Sequence, residues 1–295
     1  MTIAIFGNSM KQQTLDEVSH LLEFMQLRGV NVLLSQELRA EMNLREFPLF
    51  SAEGLVSTED GGWVTPNGEA VDFAISVGGD GTFLTTAAAI GDKNIPILGI
   101  NCGHLGFLAD VQTLDVDVIM DQLIRSEYTI EQRTLLHVTL NGPGQILSPY
   151  ALNEIAVLKQ GLSSMITLET QVNGKELMEL ESDGLVIATP TGSTAYNLSV
   201  GGPLMVPQAR GNLLSPIAPH SLSMRPLVIP DDWNIDIRVK SRNGNYLVSV
   251  DGRSQTLSTE TQLHIEKAPY TIKLVQLGEH SFLNSLKAKM LWGVS

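Results

Sequence analysis

Phe73-Ala74-Ile75-Ser76-Val77-Gly78-Gly79-Asp80-Gly81-Thr82 is the stretch on which the fold of this chain turns. The run up to Val77 reads as a short buried strand, and Phe83, Leu84, Ala87 and Ala88 give the residues after Thr82 the apolar face of a helix. A strand that passes through glycines into a helix start is suited to phosphate, because glycine lets the backbone approach an anion and the first helical N–H groups supply donors and positive dipole. Asp80 is out of place in such a cradle, since a carboxylate repels phosphate. Two roles justify it: binding a cation such as Mg²⁺, or accepting a proton from an attacking hydroxyl. Both belong to phosphoryl transfer. The plainer alternative is that Asp80 only caps the helix beginning near Thr82.

The same strand–helix rhythm extends to either side. Ile3 to Phe6 reads as a strand ending at Gly7. A capping box of Thr14 and Glu17 is expected to open a helix carrying Leu15, Val18, Leu22 and Met25. Val30 to Leu34 reads as a second strand, Ile95 to Ile100 as a further buried one, and Val116, Ile119 and Leu123 mark another helix. Alternation of this kind predicts a Rossmann-like parallel sheet with helices on both faces. Residues 36–70, with Glu53, Glu59, Asp60, Gly61, Gly62, Pro66 and Gly68, break the rhythm and read either as a mobile lid or as a surface insertion.

Beyond residue 135 the period becomes two. Ile166, Leu168, Thr170 and Val172 alternate up to Asn173-Gly174; Ile235, Ile237 and Val239 lead to Asn243-Gly244; Tyr246, Val248 and Val250 lead to Asp251-Gly252. Asn173-Gly174 and Asp251-Gly252 are hairpin signals, and Asn243-Gly244 reads as a turn. A last strand holds Ile272, Leu274 and Gln276. The expected architecture is therefore an α/β domain over residues 1–130 and a β-rich, mainly antiparallel domain over 131–279. The tail, 280–295, is expected to fold as a short helix packing back on the first domain, and the site to lie in a cleft between the two.

Composition narrows the function. The chain has 295 residues and a formal charge of −13, which argues against a nucleic-acid surface. No apolar run approaches the ~18 residues of a membrane span. The first residues run straight into a strand without the order of a signal peptide. A single cysteine, Cys102, excludes an intrachain disulfide framework and a cysteine-based zinc site. The expected home is a reducing cytoplasm, with no membrane or nucleic-acid partner.

Two further segments carry chemistry. In Ser182-Asp183-Gly184 and onward, the strand Leu185 to Ala188 runs into Thr189-Pro190-Thr191-Gly192-Ser193-Thr194-Ala195-Tyr196, with Gly201-Gly202-Pro203 close behind. Its hydroxyls supply donors and acceptors. A helix cap by Ser193 or Thr194 explains one of them but not the run. In Ala151-Leu152-Asn153-Glu154-Ile155, two polar residues interrupt a buried strand, so Glu154 is expected to face a site, a cation or solvent.

Taken in order, Gly78 to Thr82, Asn101-Cys102-Gly103-His104-Leu105-Gly106-Phe107-Leu108, Asn153-Glu154 and Asp183 to Gly202 resemble the NAD kinase family along nearly the whole chain. Gly-Gly-Asp-Gly alone is shared with diacylglycerol and sphingosine kinases; the Thr-Pro-Thr-Gly-Ser-Thr-Ala-Tyr block is far more restrictive. The resemblance implies phosphorylation of the 2′-hydroxyl of NAD's adenosine ribose by ATP. Asp80 is then the general base, and the backbone of Gly79, Gly81 and Thr82 holds phosphate. Mg²⁺ is held mainly by the ATP phosphates, with no protein ligand assigned. The first domain becomes the phosphate-binding one and the second the NAD-binding one. Asn153 and Glu154 match positions that hold the adenosine and ribose, and Thr191 and Thr194 match positions near the adenine. Ala195, Tyr196 and Ser199 match positions lining the ribose and the new phosphate. Asp183 matches an acid at the nicotinamide end, often across a subunit boundary, so a homodimer or homotetramer is implied. Phe107 is an apolar wall of the adenine pocket, and Asp251 matches a turn near the phosphates.

Cys102 stands where the family more often has threonine, and Glu181 where basic or small residues are frequent, near the nucleotide. His104 is read as shaping its loop; His220, Trp63, Trp233 and Trp292 are read as structural. Two rival functions are a lipid kinase sharing the glycine turn, disfavoured by an acidic chain without a basic amphipathic helix, and a dinucleotide sensor without chemistry, disfavoured by Asp80.

Overall fold

A computed structural model of the chain describes residues 1–295 apart from 52–53, 58–62, 66, 69, 104–105, 110, 113–115, 162–163, 279–281 and 291–295. The chain divides into two compact units, Met1–Gln132 with Ile272–Ser295, and Arg133–Thr271. His104 and Trp292 fall outside the described residues, as do Glu53, Glu59 to Gly62 and Pro66 of the 36–70 segment.

The first unit contains β1 (Thr2–Gly7), α1 (Gln12–Leu27), β2 (Asn31–Leu34), α2 (Gln36–Glu41), β3 (Val56–Ser57), β4 (Trp63–Val64), β5 (Phe73–Val77), α3 (Asp80–Ile90), β6 (Ile97–Asn101), β7 (Val111–Gln112) and α4 (Val116–Ile124). β8 (Tyr128–Asn141) leads into the second unit. There follow β9 (Tyr150–Ala151), β10 (Glu154–Lys159), β11 (Ile166–Val172), β12 (Lys175–Ser182), β13 (Gly184–Ala188), α5 (Tyr196–Ser199), β14 (Asn212–Ile217), β15 (Leu227–Ile229), β16 (Ile235–Lys240), β17 (Asn245–Val250) and β18 (Arg253–Ser258). β19 (Gln262–Leu277) returns the chain to the first unit, where α6 (Phe282–Met290) follows.

In the first unit the strands run in the order β2-β1-β5-β6 and then the end of β19, all parallel. β5 is buried at every residue, as a strand covered on both faces must be. Ile3, Ile5, Ile75 and Leu98 from these strands share one core with Val18, Leu21 and Met25 of α1. Each such side chain contributes roughly 1.5–3 kcal/mol by leaving water. In α3, Phe83, Thr86, Ala87 and Ile90 are the buried residues. Ala88 is exposed, so the apolar stripe is rotated from the one read in the sequence.

Two local expectations fail here. α1 begins at Gln12 with Lys11 before it and no side-chain cap; Thr14 is fully buried inside the first turn, so the Thr14–Glu17 capping box does not form. Residues 36–41 of the segment read as irregular are the helix α2, with Ser35 accepting from the Leu38 N–H at its start and Leu38 buried against the core. Six residues bury too little to leave a periodic trace.

The second unit holds the antiparallel order β15-β14-β13-β10-β17-β18. A second set, β12-β11-β16 and the start of β19, is antiparallel as well. Ile155, Leu185 and Val248 of the first set share a core with Leu168, Ile237 and Ile265 of the other, which defines two sheets packed face to face. The turns behave as their sequence demands: Asn173-Gly174 has φ of 48° and 71°, and Asp251-Gly252 has 46° and 79°. On the outer face of the six-stranded sheet, Ala156, Val186 and Ala188 are covered with help from Val200 and Met205. Burial on both faces is why β13 is continuously apolar.

Candidate functional site

The parallel sheet fixes where a crevice opens. β1 lies between β2 and β5, so the chain leaves β1 and β5 toward opposite sides, and ligands of open α/β sheets bind at the carboxyl ends beside such a reversal. A cavity of about 520 Å³ lies there, lined by Asn8, Ser9 and Lys11 after β1, by Ser35 and Glu37 after β2, and by Gly79, Gly81 and Thr82 after β5. A Cβ at Gly79 or at Gly81 would meet nothing within 4 Å. Packing therefore does not require glycine at either position, and the backbone stays bare toward an open space.

Asp80 is the first residue of α3, but its side chain makes no cap bond. Its carboxylate is held instead by the backbone that follows β6: Oδ2 accepts the N–H of Phe107 at 3.0 Å, and Oδ1 accepts those of Leu108 at 3.0 Å and Ala109 at 3.2 Å. The capping alternative is thereby removed. Gly106 makes this grip possible, since a Cβ there would lie 2.0 Å from Asp80 Oδ1. Gly106 to Ala109 and the Gly-Gly-Asp-Gly turn, separated in sequence, are thus one construction. α6 joins it: Phe282 packs on Phe107 with ring centroids 5.9 Å apart, and Lys289 Nζ lies 4.3 Å from the Phe107 centroid and 4.0 Å from Asp80 Oδ2. Cys102 is buried, and burial, then the charge of Glu17, pushes its thiol up to about 11, so it offers no thiolate for chemistry.

In the second unit, the start of β10 and the segment after β13 meet. Asn153 and Glu154 are 7% and 9% exposed. Glu154 pairs with Ala188 across the sheet, the Tyr196 N–H hydrogen-bonds to its carboxyl group, and its Oε2 is buried without a partner among the described residues. Burial, and then the neighbouring charge of Asp251, pushes its carboxyl up to about 7. Of the site, cation or solvent that Glu154 is expected to face, its burial leaves little of the last, and the Tyr196 end of the Thr189-to-Tyr196 segment lies against its carboxyl group. Gly192 comes so close to that strand that a Cβ would lie 2.1 Å from the Asn153 carbonyl oxygen. Thr189 ties the two together, its hydroxyl donating to the Leu152 carbonyl at 2.6 Å and accepting from the Gly192 N–H at 3.1 Å.

Residues 191–194 form a single 3-10 turn and α5 follows. Neither Ser193 nor Thr194 caps α5: Ser193 Oγ bonds the Met205 backbone at 3.1 Å through both its groups, and Thr194 Oγ1 donates to the Thr191 carbonyl at 3.3 Å. Tyr196 and Ser199 are exposed, and Ala195 is partly so. Asp251, matched above to a turn near the phosphates, turns its carboxylate inward. Its carboxylate is 3% exposed, and it accepts the N–H groups of Leu152 at 2.8 Å, Asn153 at 2.9 Å and Glu154 at 3.1 Å. Burial raises its proton affinity against those three bonds.

Asp183 stands apart from this group. Gly184 pairs with Leu158 at the opposite end of the β10–β13 ladder from Glu154 and Ala188, and Asp183 forms an ion pair with Lys159 at 2.6 Å. Glu181 and His220 line a different cavity of about 570 Å³ with Lys240 and Arg242. Several residues of the site left no sequence signal. Arg133 is buried and donates to Thr191 Oγ1 at 3.3 Å. Asn197 is fully buried; its amide donates to Ser193 and Pro203 carbonyls, and its oxygen accepts from Ser215 at 2.6 Å. Single polar residues distant in sequence become legible only once the strands are paired.

Comparison with known proteins follows the same division. Residues 3–128 match the ATP-NAD kinase N-terminal domain family and residues 152–277 the ATP-NAD kinase C-terminal domain family. An NAD kinase of Bacteroides fragilis is 43% identical over 299 residues, covering 99% of this chain and 98% of that protein. One from Porphyromonas gingivalis is 41% identical, with 99% of this chain and 98% of that protein covered. Among solved structures, an Archaeoglobus fulgidus NAD kinase in complex with ATP superposes with a TM-score of 0.74 at 25% identity, covering 99% of both chains. Yeast NADH kinase complexed with NADH shares the fold, with a TM-score of 0.83 at 24% identity over all of this chain and 89% of that one.

Proposed function

The chain belongs to the NAD kinase family and phosphorylates NAD at the expense of ATP, and we propose that Asp80 accepts the proton of the ribose 2′-hydroxyl as it attacks. The observation that carries this is the way Asp80 is held. A carboxylate bound by three N–H groups of another loop is fixed in position, while Oδ2, with one such bond, keeps acceptor capacity for a hydroxyl. In the step, the 2′-oxygen forms a bond to the γ-phosphorus, the bond from that phosphorus to the bridging oxygen breaks, ADP leaves with the electron pair, and the proton passes to Asp80.

The donor is assigned to the cavity beside β1 and β5, with its phosphates against the bare backbone of Gly79 and Gly81, the Thr82 hydroxyl and Lys11. Among the described residues, no group of three or more His, Cys, Asp and Glu side chains could hold a metal ion. Mg²⁺ is assigned to the ATP phosphates, where it neutralises charge during transfer. Asn153, Glu154, Thr191, Thr194, Ala195, Tyr196 and Ser199 are assigned to the adenosine end of NAD, and Phe107 to the adenine wall. Asp251 is given an indirect role: it fixes the backbone of Leu152 to Glu154.

Because Asp183 is remote from the Glu154 end of its own ladder, its contact with the nicotinamide end is assigned to a neighbouring copy in a homodimer or homotetramer. A reducing cytoplasm is the proposed location, in keeping with one buried cysteine; among the described residues no helix is long and apolar enough to cross a membrane. The test is incubation of the purified protein with ATP, Mg²⁺ and NAD, reading NADP with an NADP-specific dehydrogenase. Steady NADP production is expected. A folded protein that binds NAD and yields none is the sensor, and the kinase reading fails.

A further inference from the structure

We propose that Lys289, on the C-terminal helix, is a catalytic residue that binds the transferring phosphoryl group beside Asp80. The inference rests on the reading of Asp80 just given. It begins from a conflict: phosphate has to come within bonding distance of a hydroxyl that is itself bonded to a carboxylate. Two negative groups brought that close need a cation between or beside them.

Lys289 is placed to be that cation. Its ammonium lies 4.0 Å from Asp80 Oδ2 and 4.3 Å from the Phe107 ring centroid. The ring holds it by its negative face, and the same residue's N–H bonds Asp80 Oδ2 at 3.0 Å, so ring, carboxylate and ammonium form one unit. Phe282, two turns earlier on the helix, packs on Phe107 and helps set where the helix lies. A pair 4.0 Å long, with side chains 27% and 35% exposed, is worth little to stability. At that separation the ammonium has N–H groups to spare for phosphate oxygens. Lys11, the other cation at the turn, lines the cavity on the β1 side, where the remaining phosphates of the donor are assigned. Lys289 supplies charge and hydrogen bonds to the phosphoryl oxygens while Asp80 takes the hydroxyl proton. The C-terminal helix is then part of the active site, and its docking is required for turnover.

The test uses the full-length enzyme with Lys289→Met, Lys289→Arg and Lys289→Cys. NADP formation by Lys289→Met is expected to fall by about a hundredfold or more, the range for loss of one charge-stabilising donor. Its KM for NAD is expected to stay within about threefold, and its thermal midpoint within about 2 °C, as for loss of an exposed pair. Lys289→Arg is expected to recover at least a tenth of the activity. Alkylation of Lys289→Cys with 2-bromoethylamine, which rebuilds a lysine-like side chain, is expected to restore turnover; buried Cys102 is not a competing target. By calorimetry at low salt, inorganic tripolyphosphate is expected to bind Lys289→Met at least about tenfold more weakly than wild type. Wild-type activity in Lys289→Met within threefold overturns the proposal and leaves the kinase reading intact. A deficit that neither arginine nor aminoethylation repairs overturns it too, because charge was then not what was lost. An inactive wild-type enzyme would instead strike the reading on which the proposal rests.

Discussion

Glu154→Gln removes a buried acid from the second unit. Its carboxyl is 9% exposed and pushed up to about 7 from an ordinary 4.5. Below pH 4.5 the group is protonated in both folded and unfolded chains and contributes no pH dependence. Between 4.5 and 7 the unfolded chain releases the proton while the folded one keeps it, so stability falls as pH rises. Above 7 both are ionised and the full cost remains, about 3 kcal/mol at 1.36 kcal/mol per pH unit. Glutamine fills the same volume without titrating. Between pH 5 and pH 8, wild type should therefore lose about 2–3 kcal/mol relative to Glu154→Gln. Urea unfolding of both at the two pH values, with equal m-values, gives the difference directly. Parallel stability profiles over that range would mean that Glu154 is hydrated and ionised in the folded protein at neutral pH, and the reading of a covered acid would fall.

Two other substitutions test the division between packing and function. Gly81→Ala adds a Cβ in open space within the first turn of α3, so the fold should be unchanged or gain up to about 1 kcal/mol. Its ATP-dependent turnover should nevertheless fall at least about tenfold, because backbone N–H groups at a helix start hold phosphate only at close approach. A fully active Gly81→Ala enzyme, measured by NADP formation alongside thermal melting, would take the donor away from this turn. Asp251→Asn puts an NH₂ group against backbone N–H donors that now have carboxylate partners. It should cost about 1–3 kcal/mol and raise the KM for NAD more than it lowers kcat at saturation; an unchanged KM would show that Asp251 does not act through Asn153 and Glu154.

The parts that were legible in the sequence were those set by local rules. β5 and the glycine turn, the alternation of β11, β16 and β17, and the Asn173-Gly174 and Asp251-Gly252 hairpins depend on neighbours in the chain. The misreadings came where burial overrides a local pattern. Thr14 looks like a cap but is fully buried in α1, and the six residues of α2 bury only Leu38, too little for a period. In the site, Asp80, Asn153 and Glu154 stood out because each is polar where an apolar or anion-binding run is expected. Lys289 and Arg133 stood out in no such way: a lysine on an amphipathic helix and an arginine in a strand are ordinary until tertiary structure sets them beside Phe107 and Thr191. Asp251 was visible as a turn residue, but the direction of its carboxylate, inward to three N–H groups, depends on the β10–β17 register.

The claim that joins these findings is that Asp80 takes the proton from the attacking hydroxyl. Asp80→Asn keeps an oxygen for the Leu108 and Ala109 N–H groups but cannot accept that proton. With fold and NAD binding checked by calorimetry, NADP formation from ATP and NAD should drop by about 10²–10⁴ while the Kd for NAD stays within a few-fold. Turnover within tenfold of wild type, or a loss accounted for by failure to bind NAD, would contradict it.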